Sequence, residues 1–166
     1  MIRRTIIVVA FVFTTSGTKA QEVQFYLGPA VGVSTLGPAY GVDLTVGKGR
    51  FATSIQYLHT GDDLIFDGKN RSFIGVSSGY MRMGHDRSTT ALAGIGFMSG
   101  DDEDHSVPSL FGPRVIELER SLALMLRVDA FFHSSFLALG LSPFVLIGKS
   151  ELTPGATVRL FIGKFR

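Results

Sequence analysis

The chain has 166 residues, a formal charge of +2, no cysteine, 20 glycines and 14 phenylalanines. Without cysteine it carries no disulfide framework and no lipid-modified N-terminal cysteine, so an exported protein of this kind must hold itself together by packing and hydrogen bonding. No basic stripe runs along it, which argues against nucleic acid as a partner.

The first 20 residues read MIRRTIIVVAFVFTTSGTKA: two arginines, the apolar run Thr5 to Phe13, then small and polar residues. This is the pattern of a secretory signal peptide cleaved after Ala20, and the apolar run is far shorter than the roughly 20 residues of a spanning helix. The expected organisation is therefore a signal peptide over 1–20 and one mature domain over 21–166. Removing Arg3, Arg4 and Lys19 lowers the basic count from 16 to 13 against 14 acidic residues, so the mature chain is close to neutral.

Beyond that point the dominant signal is alternation, because successive side chains of a strand point to opposite faces. From Val23, Phe25, Leu27, Val31 and Val33 fall on one face, with Gln24, Tyr26, Gly28 and Ala30 on the other. The second run separates Val42, Leu44 and Val46 from Asp43 and Thr45. The third separates Phe51, Ile55 and Tyr57 from Ala52, Ser54 and Gln56. The fourth, Arg71 to Met83, sets Ile74, Val76 and Tyr80 against Gly75, Ser77 and Gly79. The fifth, Thr89 to Ser99, sets Ile95 and Phe97 against Gly94 and Gly96.

The sixth run, Val115 to Phe132, is the longest. Leu118, Leu122, Leu124, Leu126, Val128 and Phe132 form one face, interrupted by Arg120; Glu117, Glu119, Ser121, Met125, Arg127 and Asp129 form the other. A helix is excluded because the apolar residues recur at two, not at three and four. The seventh, Phe136 to Lys149, opposes Leu137, Leu139 and Leu141 to Ala138 and Ser142. The eighth, Gly155 to Phe165, opposes Val158, Leu160 and Ile162 to Thr157, Arg159 and Phe161.

Eight such strands are long enough to cross a bilayer when tilted. GKG, GHDRS and HSS make tight connections at one end. STLGP and SELTP are of middling length at the other, where TGDDLIFDGKN and GDDEDHSVPSLFGPR are long and polar. Short turns alternating with longer loops predict an all-β, eight-stranded antiparallel up-and-down transmembrane barrel in an outer membrane.

A barrel of this size has an interior filled by side chains, and charges there must pair. Asp43, Glu117, Glu119, Arg127, Asp129 and Arg159 all fall on faces read as inward and form the expected interior polar network. The role expected is structural or surface-interacting, with no catalysis. The partners expected are outer-membrane lipid, the assembly machinery that inserts barrels, and an extracellular partner at loops 60–70 and 100–114. No cofactor or metal is expected: Asp62, Asp63, Asp67 and the run Asp101 to Asp104 lack the spacing of a calcium loop.

The ending FFHSSFLALGLSPFVLIGKSELTPGATVRLFIGKFR is similar to the ends of small eight-stranded outer-membrane barrel proteins of Bacteroidetes-type bacteria. That resemblance implies a fold and a location and brings no catalytic residues. The near-terminal Phe165 resembles the aromatic by which such barrels are recognised for insertion. His133-Ser134-Ser135 resembles the His-x-Ser motif of outer-membrane lipid A deacylases, which implies a lipid-modifying hydrolase with His133 activating Ser135. A second alternative is a secreted lipocalin-like carrier with the same alternation and its apolar face inward.

Overall fold

The computed structural model describes residues 23–61, 69–104, 114–149 and 151–165. Residues 1–20, expected to form a signal peptide, and the acidic Asp62, Asp63 and Asp67 lie outside the described residues.

The eight alternating runs form eight strands: β1 (Val23–Ser34), β2 (Gly37–Lys48), β3 (Phe51–Gly61), β4 (Asn70–Met83), β5 (Arg87–Asp104), β6 (Arg114–His133), β7 (Leu137–Ile147) and β8 (Leu152–Lys164). Each pairs antiparallel with its sequence neighbour, and β8 returns to β1 to close the barrel. Closure gives every strand a neighbour on both sides over the length that all eight share.

Val23, Phe165 and the short turns 49–50, 84–86 and 134–136 share one end, the turn end. The strand ends Gly61, Asn70, Asp104, Arg114, Ile147 and Leu152 share the other, the loop end. One connection is tighter than its sequence suggests. Ser34 and Gly37 pair directly, leaving only Thr35 and Leu36 between β1 and β2. The Ser34 hydroxyl accepts from the Leu36 amide at 3.1 Å, and Gly37 takes a φ of 120° that a side chain would resist.

The faces divide as alternation requires. Val31 and Val33 are each 66% exposed, and the apolar sets of all eight strands point away from the barrel. The inner set fills the lumen in layers. Towards the loop end, Leu58, Phe73, Met98, Met125, Phe144 and Leu146 form an apolar layer. Charged and hydroxyl side chains follow, and then an aromatic layer of Tyr26, Phe131, Phe161 and Phe165 at the turn end. The lumen is packed, and its inner wall is not the apolar ligand cavity of a lipocalin.

Phe165 belongs to this packing. It is 2% exposed and stacks on Tyr26 at 5.3 Å and on His133 at 5.4 Å. Its parity with Phe161 turns it inward, so this aromatic, just past the end of β8, plugs the barrel from below.

Candidate functional site

The middle of the lumen is organised on Asp43. Its backbone partner on β1 is Gly28, and a Cβ there would come within 2.5 Å of the Asp43 carboxylate and 2.8 Å of the Phe161 ring. The glycine leaves the carboxylate room to reach across the barrel. Asp43 Oδ2 accepts from Arg127 Nη2 at 2.8 Å and from the Thr45 and Ser54 hydroxyls at 3.1 Å each. Asp43 Oδ1 accepts from Arg159 Nη1.

Arg127 carries the network onward. Its Nη1 donates to Gln56 Oε1 at 2.6 Å, and Gln56 in turn donates to Ser77. Its Nε stands 3.0 Å from Asp129 Oδ1, within ion-pair range but off the line of a hydrogen bond. Two carboxylates balance two guanidiniums, all four at most 2% exposed. An unbalanced charge at this depth costs several kcal/mol, so this neutrality is a condition for the barrel to exist.

Asp43, Arg127, Asp129 and Arg159 are thus brought together, whereas Glu117 and Glu119 are exposed and stand apart. The reason is a β-bulge. Met98 pairs with Ser121 and Gly100 with Leu118, so Glu119 and Arg120 face the single residue Ser99. One extra residue reverses the inward–outward phase of β6 beyond that point. Leu118, expected on the outer face, lines the mouth of the lumen instead.

A second polar cluster occupies the loop-end mouth. Arg71 is 4% exposed; its Nε donates to Glu151 at 2.8 Å, and its Nη2 pairs with Asp102 at 2.9 Å. Its Nη1 donates to the carbonyls of Asn70 and Asp101. Above it opens a cavity of about 440 Å3, lined also by Lys69, Leu118, Glu119, Ser121 and Lys149. Sequence reasoning missed this cluster. The alternation of β4 places Arg71 with inward Phe73, a usable signal, but Glu151 sits in a turn that no periodicity reaches.

His133 and Ser135, the pair of the alternative hydrolase reading, are not brought together. His133 turns into the aromatic layer, and its Nε2 shares a 2.8 Å hydrogen bond with Ser88 on β5. Ser135 lies exposed in the turn, and no hydrogen bond joins the two among the described residues. A different pair stands on the outer wall near the loop end, where His59 Nδ1 and the Ser72 hydroxyl are 2.8 Å apart. The Tyr40 ring stacks on His59 at 4.7 Å. Beside them Leu27, Val42, Leu44, Tyr57 and Ile74 line an apolar depression of about 220 Å3. Neither histidine has a carboxylate partner among the described residues, so neither pair has the third group that orients the base of a serine hydrolase.

No family profile matches the chain, and no curated protein matches it in sequence. Solved structures do match in fold. The N-terminal β-barrel domain of Pseudomonas aeruginosa OprF shares 8% identity at a TM-score of 0.58, covering 84% of this chain and 96% of that one. Ail, the attachment invasion locus protein of Yersinia pestis, shares 11% at 0.57, covering 86% and 97%. The outer-membrane enzyme PagL shares 16% at 0.51, covering 82% and 98%. The chain therefore has the fold of the small eight-stranded outer-membrane β-barrels. At these identities the likeness is one of architecture.

Proposed function

We propose that the protein is an integral outer-membrane barrel with a structural or surface-interaction role, exported on a leader spanning 1–20 that is removed to leave a single domain over 21–166. One observation carries this reading: the apolar sets of all eight strands ring the outside of a closed barrel while four paired charges lie inside it. A continuous belt of exposed leucine, valine, isoleucine and phenylalanine has no place in water and fits the hydrocarbon of a bilayer. The packed lumen argues against conduction of solutes. Outer-membrane lipid and the barrel assembly machinery are then its obligatory partners, and the loop end faces the exterior.

Cell fractionation combined with a denaturing gel of unheated and boiled samples tests it. An outer-membrane protein lacking residues 1–20 that shifts on boiling is expected. A soluble protein with no shift overturns the reading.

A second reading, hydrolysis of outer-leaflet lipid, is favoured by the outward His59–Ser72 pair beside an apolar depression. Mass analysis of lipid from cells expressing the wild type or Ser72→Ala separates the two. A deacylated species present only with the wild type would support the enzyme, and identical lipid would remove it.

A further inference from the structure

Charge is distributed unevenly along the barrel. At the loop-end mouth it balances, with Lys69, Arg71 and Lys149 against Asp102, Glu119 and Glu151. At the turn end it does not. Among the described residues there, Lys48, Arg50, Arg82, Arg87 and Lys164 are basic, and the one carboxylate is Asp86, 3.7 Å from His85. Five cations against one carboxylate leave an excess of four. Glu22 and Arg166, next along the chain and outside the described residues, add one charge of each sign and do not alter that balance.

Strand parity puts four of these cations on the outer wall. Lys48, Arg82 and Lys164 lie two residues beyond the exposed Val46, Tyr80 and Ile162 of β2, β4 and β8. Arg87 opens β5 directly opposite the exposed Phe132 of β6. Each cation also has an exposed aromatic beside it. Lys48 pairs with Phe51 and Lys164 with Phe25, Arg82 follows Tyr80, and the Arg87 guanidinium lies 5.0 Å over the Phe132 ring. Aromatic side chains of a membrane barrel collect at the boundary between hydrocarbon and water. A basic side chain at that boundary lays its stem along the apolar wall and carries its charge into the headgroup layer.

We infer that this collar binds anionic phospholipids of the leaflet at the turn end, their phosphodiester oxygens accepting from Lys48, Arg82, Arg87 and Lys164. The four side chains leave the barrel radially, into lipid, and not along its axis towards a soluble partner. A zwitterionic headgroup brings as much positive charge as negative and cannot offset the excess, whereas a headgroup with net negative charge does. Stacking on Phe132 uses the face of the Arg87 guanidinium and leaves its edge for phosphate oxygens. The inference rests on the outer-membrane reading, which surrounds the wall with lipid.

The test reconstitutes the full mature protein in phosphatidylcholine vesicles holding a trace of spin-labelled lipid, whose motionally restricted fraction reports association with the barrel. Labelled phosphatidylglycerol should associate about fivefold more strongly than labelled phosphatidylcholine, the factor that one cation near an anionic surface supplies. The preference should vanish in about 1 M salt, where charges are screened within about 3 Å. Arg82→Gln with Arg87→Gln, and separately Lys48→Gln with Lys164→Gln, should each reduce it, and all four together should abolish it. Lys69→Gln with Lys149→Gln, at the balanced loop end, should leave it intact.

The boiling shift is measured on every sample. With the shift intact, the inference is overturned by equal association of the two lipids, which would leave the collar to an acidic soluble partner. It is also overturned by a preference that survives the four substitutions or falls as far in the loop-end variant. If the four-site variant does not fold, the two double variants decide, and an undiminished preference in both overturns the inference. A wild-type sample without the shift removes the outer-membrane reading and the inference together.

Discussion

Replacing Asp43 with asparagine should be among the most damaging single changes in the lumen. The side chain is 1% exposed, and its two oxygens accept from Arg127, Arg159, Thr45 and Ser54. Asparagine keeps the shape but offers one acceptor oxygen and turns an NH2 group towards a guanidinium. Two arginines then face the lone carboxylate of Asp129, between an apolar and an aromatic layer. Removing one member of a buried pair costs about 3–5 kcal/mol, a large part of the roughly 5–15 kcal/mol that holds a domain together. Combining Asp43→Asn with Arg127→Met leaves Arg159 and Asp129 as a neutral set, and should recover about half of the loss because a balanced pair is often replaceable at little cost. The chain has no tryptophan, so urea unfolding in detergent is best followed by the unboiled-gel shift. A loss below about 1 kcal/mol, the range of an exposed ion pair, would show that water reaches the network and that the reasoning from dry burial is wrong. So would a double variant weaker than either single one.

Other perturbations probe the remaining parts of the barrel. Leu124 is 49% exposed on the outer belt, and Leu124→Arg should lower stability by about 2–4 kcal/mol near mid-bilayer, read as failed insertion or an earlier urea midpoint. Phe165→Ala removes the ring stacked between Tyr26 and His133 and should cost about 3–5 kcal/mol, seen as a lower temperature for the gel shift. In planar bilayers it should also raise conductance, since the aromatic layer is what closes the turn end. Ser135→Ala should change neither stability nor lipid composition, because the exposed Ser135 and the buried His133 share no hydrogen bond.

Most of the barrel was legible because a period of two is a local property that each strand states for itself. Val42, Leu44 and Val46 against Asp43 and Thr45 give the orientation of β2 without knowledge of any neighbour. Pairing across the lumen is another matter. That Asp43 on β2 receives Arg127 from β6 and Arg159 from β8 depends on barrel radius and strand stagger, which no window of sequence contains. The same holds for Arg71 and Glu151, one on a strand and the other in a turn, joined only by closure.

Parity also carries an error forward once a residue is added. The reading of Glu117 as inward assumed an unbroken strand from Val115 to Phe132, whereas the bulge resets the phase between Leu118 and Ser121; Glu119, inside the bulge, borders the mouth cavity but stays apart from the interior network. The sequence contained one sign of this. Arg120 falls on the face that must meet lipid, and a charge there is costly unless the strand has left the membrane or lost its phase. Both have happened: the bulge sits beyond Leu124, the point where β6 parts from β7 and rises above the barrel. A charge out of phase with an otherwise regular strand is therefore a marker for the point where a membrane strand becomes an extramembrane ribbon. Here it falls within residues 114–123, the part of β6 that runs past its pairing with β7.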